Sequence, residues 1–414
     1  MRSIFKNKKT TKILLLLSII GPGLVTANAD NDAGGIATYS CVGASFGYTM
    51  LWGLFLITIS LAVIQEMCAR MGIVTGKGLS ALIRENFGVK MTFLAMTMLF
   101  IANFATTIAE FAGIAASMEL FNIAKYISVP AVALLVWIVI TRGSYKKAET
   151  AFLILSLVYV TYIIAGFIVK PDWHEVIKHT FIPSFSWNQH FVFLFIAMIG
   201  TTITPWMQFY LQAAVVDKGL DIKHYRYEMI DVFIGAFITD FVAFFIIITT
   251  AATLYKAGIT IETASDAAQA LKPLAGEYAS HLFAAGLFGA SLLGAHILPL
   301  STAYAVTEAF GFENGLDKKF REASIFYGII AFFIIIGAGV VLLPSLPLLK
   351  IMIISQEING IILPVILIYM LKLTNNRELM GEYVNSRFFN IIAWLTVIFV
   401  IILTVILLFM PFFQ

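Results

Sequence analysis

One short run, Asn28-Ala29-Asp30-Asn31-Asp32-Ala33-Gly34-Gly35-Ile36-Ala37-Thr38, places two carboxylates, two amides and paired glycines inside an apolar stretch reaching from about residue 13 to 42. Aspartates at bilayer depth cost on the order of 2.5–3.5 kcal/mol each unless they face protein, water or an ion. The glycines lower helix propensity by about 1 kcal/mol each. This spacing predicts a helix that breaks mid-membrane and turns backbone carbonyls toward carboxylates, which is tolerated only beside a cavity or inside protein. Such oxygen donors suit a hard cation. A Gly-kinked helix with structurally paired aspartates is the other reading of the same residues.

A second island, Gly200-Thr201-Thr202-Ile203-Thr204-Pro205-Trp206-Met207-Gln208, interrupts another apolar segment. Proline inside a helix costs about 3 kcal/mol, and the threonine hydroxyls and Gln208 are at hand to satisfy the freed backbone groups. A third island reads Ser355-Gln356-Glu357-Ile358-Asn359-Gly360. Other polar groups stand alone in apolar surroundings: Glu110 beside Thr106 and Thr107, Asp240, and His296. An intramembrane carboxylate is a functional candidate by default. A lone histidine is read as a hydrogen-bonded packing residue. Glu66 and Arg70, one helical turn apart, are read as a structural ion pair.

The elements that position these residues are membrane helices. Of 414 residues, 60% are hydrophobic and 12% charged, with net charge +3; soluble domains carry about 25% charged residues. Apolar segments of spanning length recur at roughly 13–42 (broken), 48–70, 91–121, 128–141, 150–169, 189–215 (broken), 228–255, 279–310, 323–344, 348–371 and 388–411. With the N-terminus inside, 21 of the 27 Lys and Arg residues fall in inner loops and 6 in outer ones. That bias predicts a multi-pass cell-membrane protein with a cytoplasmic N-terminus and an extracellular C-terminus. The basic, apolar beginning imitates a secretory signal, but cleavage there would remove half of the span that carries the first island, so none is expected. Leu79, Leu82, Ile83 and Phe87 have helical spacing and predict a short interfacial helix after the second span.

Breaks in spans one and six, five spans apart, match an inverted five-plus-five repeat with its site at the midplane. The chain is thus one transmembrane domain: a first repeat over 13–169, a second over 189–371, and an additional helix at 388–411. Cys41 and Cys68 lie inside spans, so neither a disulfide framework nor a zinc cluster is indicated. No Walker motif argues for an ATP-driven pump, and no His-Glu-x-x-His or Gly-x-Ser-x-Gly signature argues for an enzyme.

In order and spacing, several motifs along nearly the whole chain resemble the natural-resistance-associated macrophage protein (Nramp) family of divalent-metal transporters. They are Gly21-Pro22-Gly23, Gly34 to Thr38, Phe46-Gly47-Tyr48, Leu51-Trp52, Arg70 to Lys77, Ala109-Glu110, Thr204-Pro205, Ser355-Gln356 and Leu363-Pro364. The resemblance implies an all-α LeuT-like fold of 11 transmembrane helices and divalent-metal transport by alternating access. It departs at the ligands. The family's Asp-Pro-Gly-Asn reads Asp32-Ala33-Gly34-Gly35 here, and Met-Pro-His reads Thr204-Pro205-Trp206. A thioether selects soft transition metals, whereas hydroxyls and carbonyls suit hard ions. The pattern therefore resembles the Nramp-related magnesium transporter branch, and Mg2+ keeps several waters, which fits a roomier site.

The resemblance implies a metal site of Asp32, Gly35, Thr201, Thr204 and Gln356, with Asp30, Asn31, Asp240 and Asn359 as further candidates. The family's third-span Asp-x-x-Glu becomes Thr107-x-x-Glu110, and its sixth-span His becomes Trp206. These former proton-route positions imply uptake without proton coupling, driven by voltage at roughly 2.3 kcal/mol per charge per 100 mV. The expected cargo is Mg2+, with Mn2+ next. No cofactor is expected, and the partners are the divalent ion and the lipid bilayer, without nucleic acid or an obligatory protein. A proton-coupled Mn2+/Fe2+ symporter is the competing reading, followed by a sodium-coupled organic solute symporter on the same fold.

Overall fold

The computed structural model describes residues 31–142, 160–316 and 318–410. Asp30 and the first half of span one lie outside them, as does the start of span five. Among the described residues the chain is helical throughout, without strands. In order the helices are α1 (Ala33–Phe46), α2 (Leu51–Thr75), α3 (Leu79–Leu120), α4 (Lys125–Thr141), α5 (Val160–Ile168), α6 (Trp173–Phe181), α7 (Gln189–Thr202) and α8 (Pro205–Asp217). They continue as α9 (Tyr225–Thr250), α10 (Ala279–Phe310), α11 (Ser324–Val341), α12 (Leu348–Thr374) and α13 (Arg387–Phe409).

Local chemistry explains where these helices start and bend. Thr204 precedes Pro205, and a residue before proline is pushed out of the α region; it is extended at φ −70°, ψ 143°. Pro205 then opens α8 at a position where its missing N–H costs nothing. The break in span six is thus Ile203-Thr204. In α3, Gly88 sits at φ 74°, a left-handed conformation that glycine adopts without a side-chain clash. It turns the interfacial segment beginning at Leu79 into the third span. That segment is anchored below the bundle: Ser80 donates to Glu308, and Gln212 Nε2 donates to the Lys77 carbonyl at 2.8 Å.

α3 lies at the centre, packed most extensively on α10 and α12. α7 and α12 meet backbone to backbone. A Cβ on Gly200 would fall on the Gln356 carbonyl and on Gly360 N, and a Cβ on Gly360 would meet the Ile196 carbonyl at 2.5 Å. Outward-facing positions are apolar, including Phe93, Leu134, Phe237, Ile335 and Leu395, as lipid contact requires. α13 packs mainly on α12 and α7 and exposes most of its surface.

Toward the C-terminal end of α2 the expected pair is present, with Arg70 Nε 2.9 Å from Glu66 Oε1. Helix α2 continues to Thr75, one turn beyond the span read from hydropathy, so Arg70 lies within it. A buried ion pair needs further hydrogen bonds to offset its desolvation. Tyr225 supplies one to Glu66, and Arg70 donates to the Tyr383 carbonyl and, at 2.5 Å, to Asn385 Oδ1.

Candidate metal site

The site is built around the start of α1. Asp32 is extended (φ −72°, ψ −176°) and caps the helix, with its Oδ1 accepting the Gly35 N–H at 2.6 Å. An ionised acceptor on an orphan helix N–H makes a strong, charge-assisted bond. Gly35 therefore contributes its N–H to holding Asp32. Gly34 lets a neighbour approach, since a Cβ there would lie 2.6 Å from Gln356 Cδ and 2.7 Å from its Cγ.

Gln356 reaches in from α12. Its Nε2 points at both Asp32 oxygens, at 3.4 and 3.3 Å, while its Oε1 accepts from Asn359 Nδ2 at 2.9 Å. Asn359 Nδ2 also donates to Thr106 Oγ1 at 2.9 Å, and the Thr106 hydroxyl donates to the Ala102 carbonyl. This chain fixes the amide with its N–H side toward Asp32. In this arrangement Gln356 orients the carboxylate, and it must turn end for end to offer a cation its carbonyl.

Glu110 closes the third side. Its Oε2 faces the Ala33 N–H at 3.5 Å, and its carboxyl lies within hydrogen-bond reach of Asp32. Gly294 on α10 makes room for it, because a Cβ there would sit 2.5 Å from Glu110 Cδ. Two contacting carboxyls in a low-dielectric interior cannot both stay ionised unless a cation lies between them, and otherwise they share a proton. Among the described residues no three His, Cys, Asp or Glu side chains converge. A cation here would draw on these two carboxyls and neutral oxygens.

Thr201 and Thr204 flank the break in span six, both buried, and among the described residues neither hydroxyl oxygen has a hydrogen-bond partner. They follow Gly200, whose Cα lies against the Gln356 backbone, so these unserved oxygens belong to the same neighbourhood. Tyr39 and Thr202 hydroxyls, 2.7 Å apart, tie α1 to α7 at this level.

Other expected residues are placed elsewhere. Asn31 Nδ2 donates to Thr239 on α9, at 2.9 Å to its hydroxyl and 3.3 Å to its carbonyl. Asp240 lies beside Thr58 of α2, away from the Asp32–Gln356 contact. Of the further candidates only Asn359 joins the group, and Asp30 is outside the described residues. The Thr107 hydroxyl donates to the Asn103 carbonyl, and its methyl faces α11 near Gly337. Trp206 packs on Tyr210, with ring centroids 5.8 Å apart. His296 Nδ1 is 2.7 Å from the Leu292 carbonyl, matching the packing role read from sequence. Glu110, expected as a former proton-route position, is in contact with Asp32.

Two contributors escaped the sequence reading. Thr106 lies one turn before Glu110 on the same face of α3, so helical spacing could have paired them. Gly34 was visible only as a helix weakener, whereas its role is to admit Gln356.

Comparison with known proteins fits this geometry. The natural resistance-associated macrophage protein-like family matches residues 23–410. A protein of Bacillus subtilis strain 168 named divalent metal cation transporter MntH is 27% identical over 403 residues, 95% of this chain and 92% of its own. Its Clostridium acetobutylicum counterpart is 28% identical over 413 residues, covering 96% and 92%. Among solved structures, the Eremococcus coleocola manganese transporter, in complex with an aromatic bis-isothiourea compound, superposes with TM-score 0.79 at 24% identity, covering 97% of this chain and 88% of that one. A nucleobase-cation-symport-1 family transporter shares the fold more distantly, with TM-score 0.57 at 12% identity over 95% and 92%.

Proposed function

The chain belongs to the natural resistance-associated macrophage protein family, and from that premise we propose that it carries a hard divalent cation across the cell membrane by alternating access. The observation that carries this reading is Asp32. It is a buried carboxylate at a helix start, and its partners are Glu110, Gln356 and backbone N–H groups, with no thioether or imidazole among them. Asp32 is the central ligand, with Glu110 in contact with it and the unpartnered hydroxyls of Thr201 and Thr204 as further oxygen donors. This oxygen-only set favours Mg2+ over softer metals, with Mn2+ as the next candidate. The expected inverted halves at 13–169 and 189–371 supply the moving parts of this reading, with the helix start at Asp32 and the Ile203-Thr204 break as its pivots. The inner excess of Lys and Arg supports a cytoplasmic N-terminus.

A second reading lies nearer to the relatives, whose names give divalent metal cations and manganese. In it the chain is a proton-coupled Mn2+/Fe2+ symporter. The contact between Glu110 and Asp32 favours it, because that pair offers a place for a proton that an arriving cation would displace.

Proteoliposomes with an imposed K+ potential and an internal pH dye test both. Asp32→Ala should abolish Mg2+ and Mn2+ uptake while the protein stays monodisperse, and wild-type-like uptake would remove Asp32 from the site. Uncoupled transport moves charge without acidifying the lumen. Metal-dependent acidification above a protein-free control would replace the first reading with the second.

A further inference from the structure

Asp240 stands mid-helix in α9, 3% exposed, and among the described residues neither carboxylate oxygen accepts a hydrogen bond of good geometry. A buried carboxylate without a partner costs several kcal/mol, so something must compensate it. The neighbouring side chains do not. Thr58 of α2 lies within hydrogen-bonding range of it, but the single Thr58 hydroxyl hydrogen also serves the Leu54 carbonyl at 2.8 Å, and when it does so the hydroxyl turns lone pairs toward Asp240. On the α1 side, Asn31 commits its Nδ2 to Thr239, the residue before Asp240. Its Oδ1 is buried and accepts nothing. Among the described residues, no charged side chain acts on Asp240. The nearest carboxylate further along α2, Glu66, is already paired with Arg70. Glu228, the other α9 carboxylate with two unserved oxygens, has Lys218 nearby as a countercharge, whereas among the described residues Asp240 has none.

We propose that Asp240 anchors a second cation site, for a singly charged alkali ion such as Na+, on the seam where α9 meets α2 and the start of α1. The seam offers the Asp240 carboxylate, the Thr58 hydroxyl beside it and, through Thr239, the Asn31 amide whose oxygen is unserved among the described residues, an acceptor-rich set that excludes an anion. Its charge is one negative unit. A unit cation neutralises it, whereas a divalent ion would leave a net positive charge in a low-dielectric interior. A proton would neutralise the charge too, but it serves one contact and leaves the Asn31 oxygen unserved. An alkali ion collects several oxygens at once.

The site also has a line to the divalent one. Asn31 directly precedes Asp32, and its amide holds Thr239, which directly precedes Asp240. An ion that fixes this seam fixes the start of α1, so the two occupancies are linked thermodynamically. The proposal does not depend on which divalent ion Asp32 takes.

The test uses the full-length detergent-purified chain. Melting is followed in NaCl against N-methylglucamine chloride at equal ionic strength, with 22Na+ binding as a direct readout. Na+ should raise the wild-type melting temperature and bind with saturation. Asp240→Asn should lose both effects and keep its response to Mg2+ or Mn2+. Asp32→Ala should do the reverse, so failure of the divalent reading shows separately. If Asp240→Asn does not fold, Thr58→Ala retains the carboxylate and should weaken Na+ binding at least tenfold. A wild-type protein indifferent to Na+, an Asp240→Asn protein that still binds it, or unchanged Na+ affinity in Thr58→Ala would each overturn the proposal. So would a Na+-independent effect of pH on melting that Asp240→Asn abolishes, which would make the occupant a proton.

Discussion

Gly34→Ala puts the arrangement around Asp32 to a sharp test. The new methyl would overlap the Gln356 side chain, with Cδ at 2.6 Å and Cγ at 2.7 Å from the Cβ position. The obstacle is the far end of a flexible side chain, so α1 stays in place and Gln356 leaves. Its departure removes the Asn359 hydrogen bond at 2.9 Å and the long contacts to Asp32 at 3.3 and 3.4 Å. A neutral bond is worth about 1 kcal/mol net and a charge-assisted one about 1.5–3; the long contacts take the low end. The loss of about 2–3 kcal/mol falls on the ion-free protein, where Gln356 donates to Asp32, and lowers its stability. Melting of ion-free wild type, Gly34→Ala, Gln356→Ala and the double variant completes the cycle. Since the clash needs Gln356, the glycine substitution should cost almost nothing once Gln356 is already alanine. Additive losses would refute the reasoning, because the methyl would then be acting on something other than Gln356.

Thr204→Met combined with Gly35→Asn should restore a soft donor and shrink the cavity, raising Cd2+ and Mn2+ uptake relative to Mg2+ in competition assays; an unchanged order would place selectivity elsewhere. Gly200→Ala should differ from Gly34→Ala in kind, since its methyl meets the backbone of Gln356 and Gly360, where nothing can swing aside. Overpacking of about 1–3 kcal/mol or more should appear as a lower melting temperature, and an unchanged one would deny the close approach.

Much of this was legible in the sequence because bilayer physics makes polar residues conspicuous. Asp32 with Gly34-Gly35, Thr204-Pro205 and Gln356 each stood out as an island in apolar sequence, and each lies at the centre of the molecule. The bend before the third span could be read from Gly88 and the apolar spacing after Leu79. What could not be read were directions. At a helix start successive residues do not follow 100° steps, so nothing local says that Asn31 turns to Thr239 while Asp32 faces Gln356. Nor does spacing say that Gln356 presents its N–H side to Asp32, which follows from Asn359 and Thr106 on a third helix. Glu110 was read from the family pattern as part of a proton route, and its contact with Asp32 depends on the gap left by Gly294.

The glycine contact between α7 and α12 has a mechanical consequence. Backbones seated on one another at Gly200 and Gly360 resist sliding, because any shift drives peptide groups into each other. The first half of span six (α7) and span ten (α12) therefore travel as a single strut. Rearrangements of packed helices divide into hinges and shears, and this seat removes shear along α7–α12. The freedom that remains is rotation about Ile203-Thr204, where the chain has no intrahelical ladder to break. A path opening toward either side of the membrane would then swing α8 against a rigid post, with the Asp32 carboxylate beside the pivot.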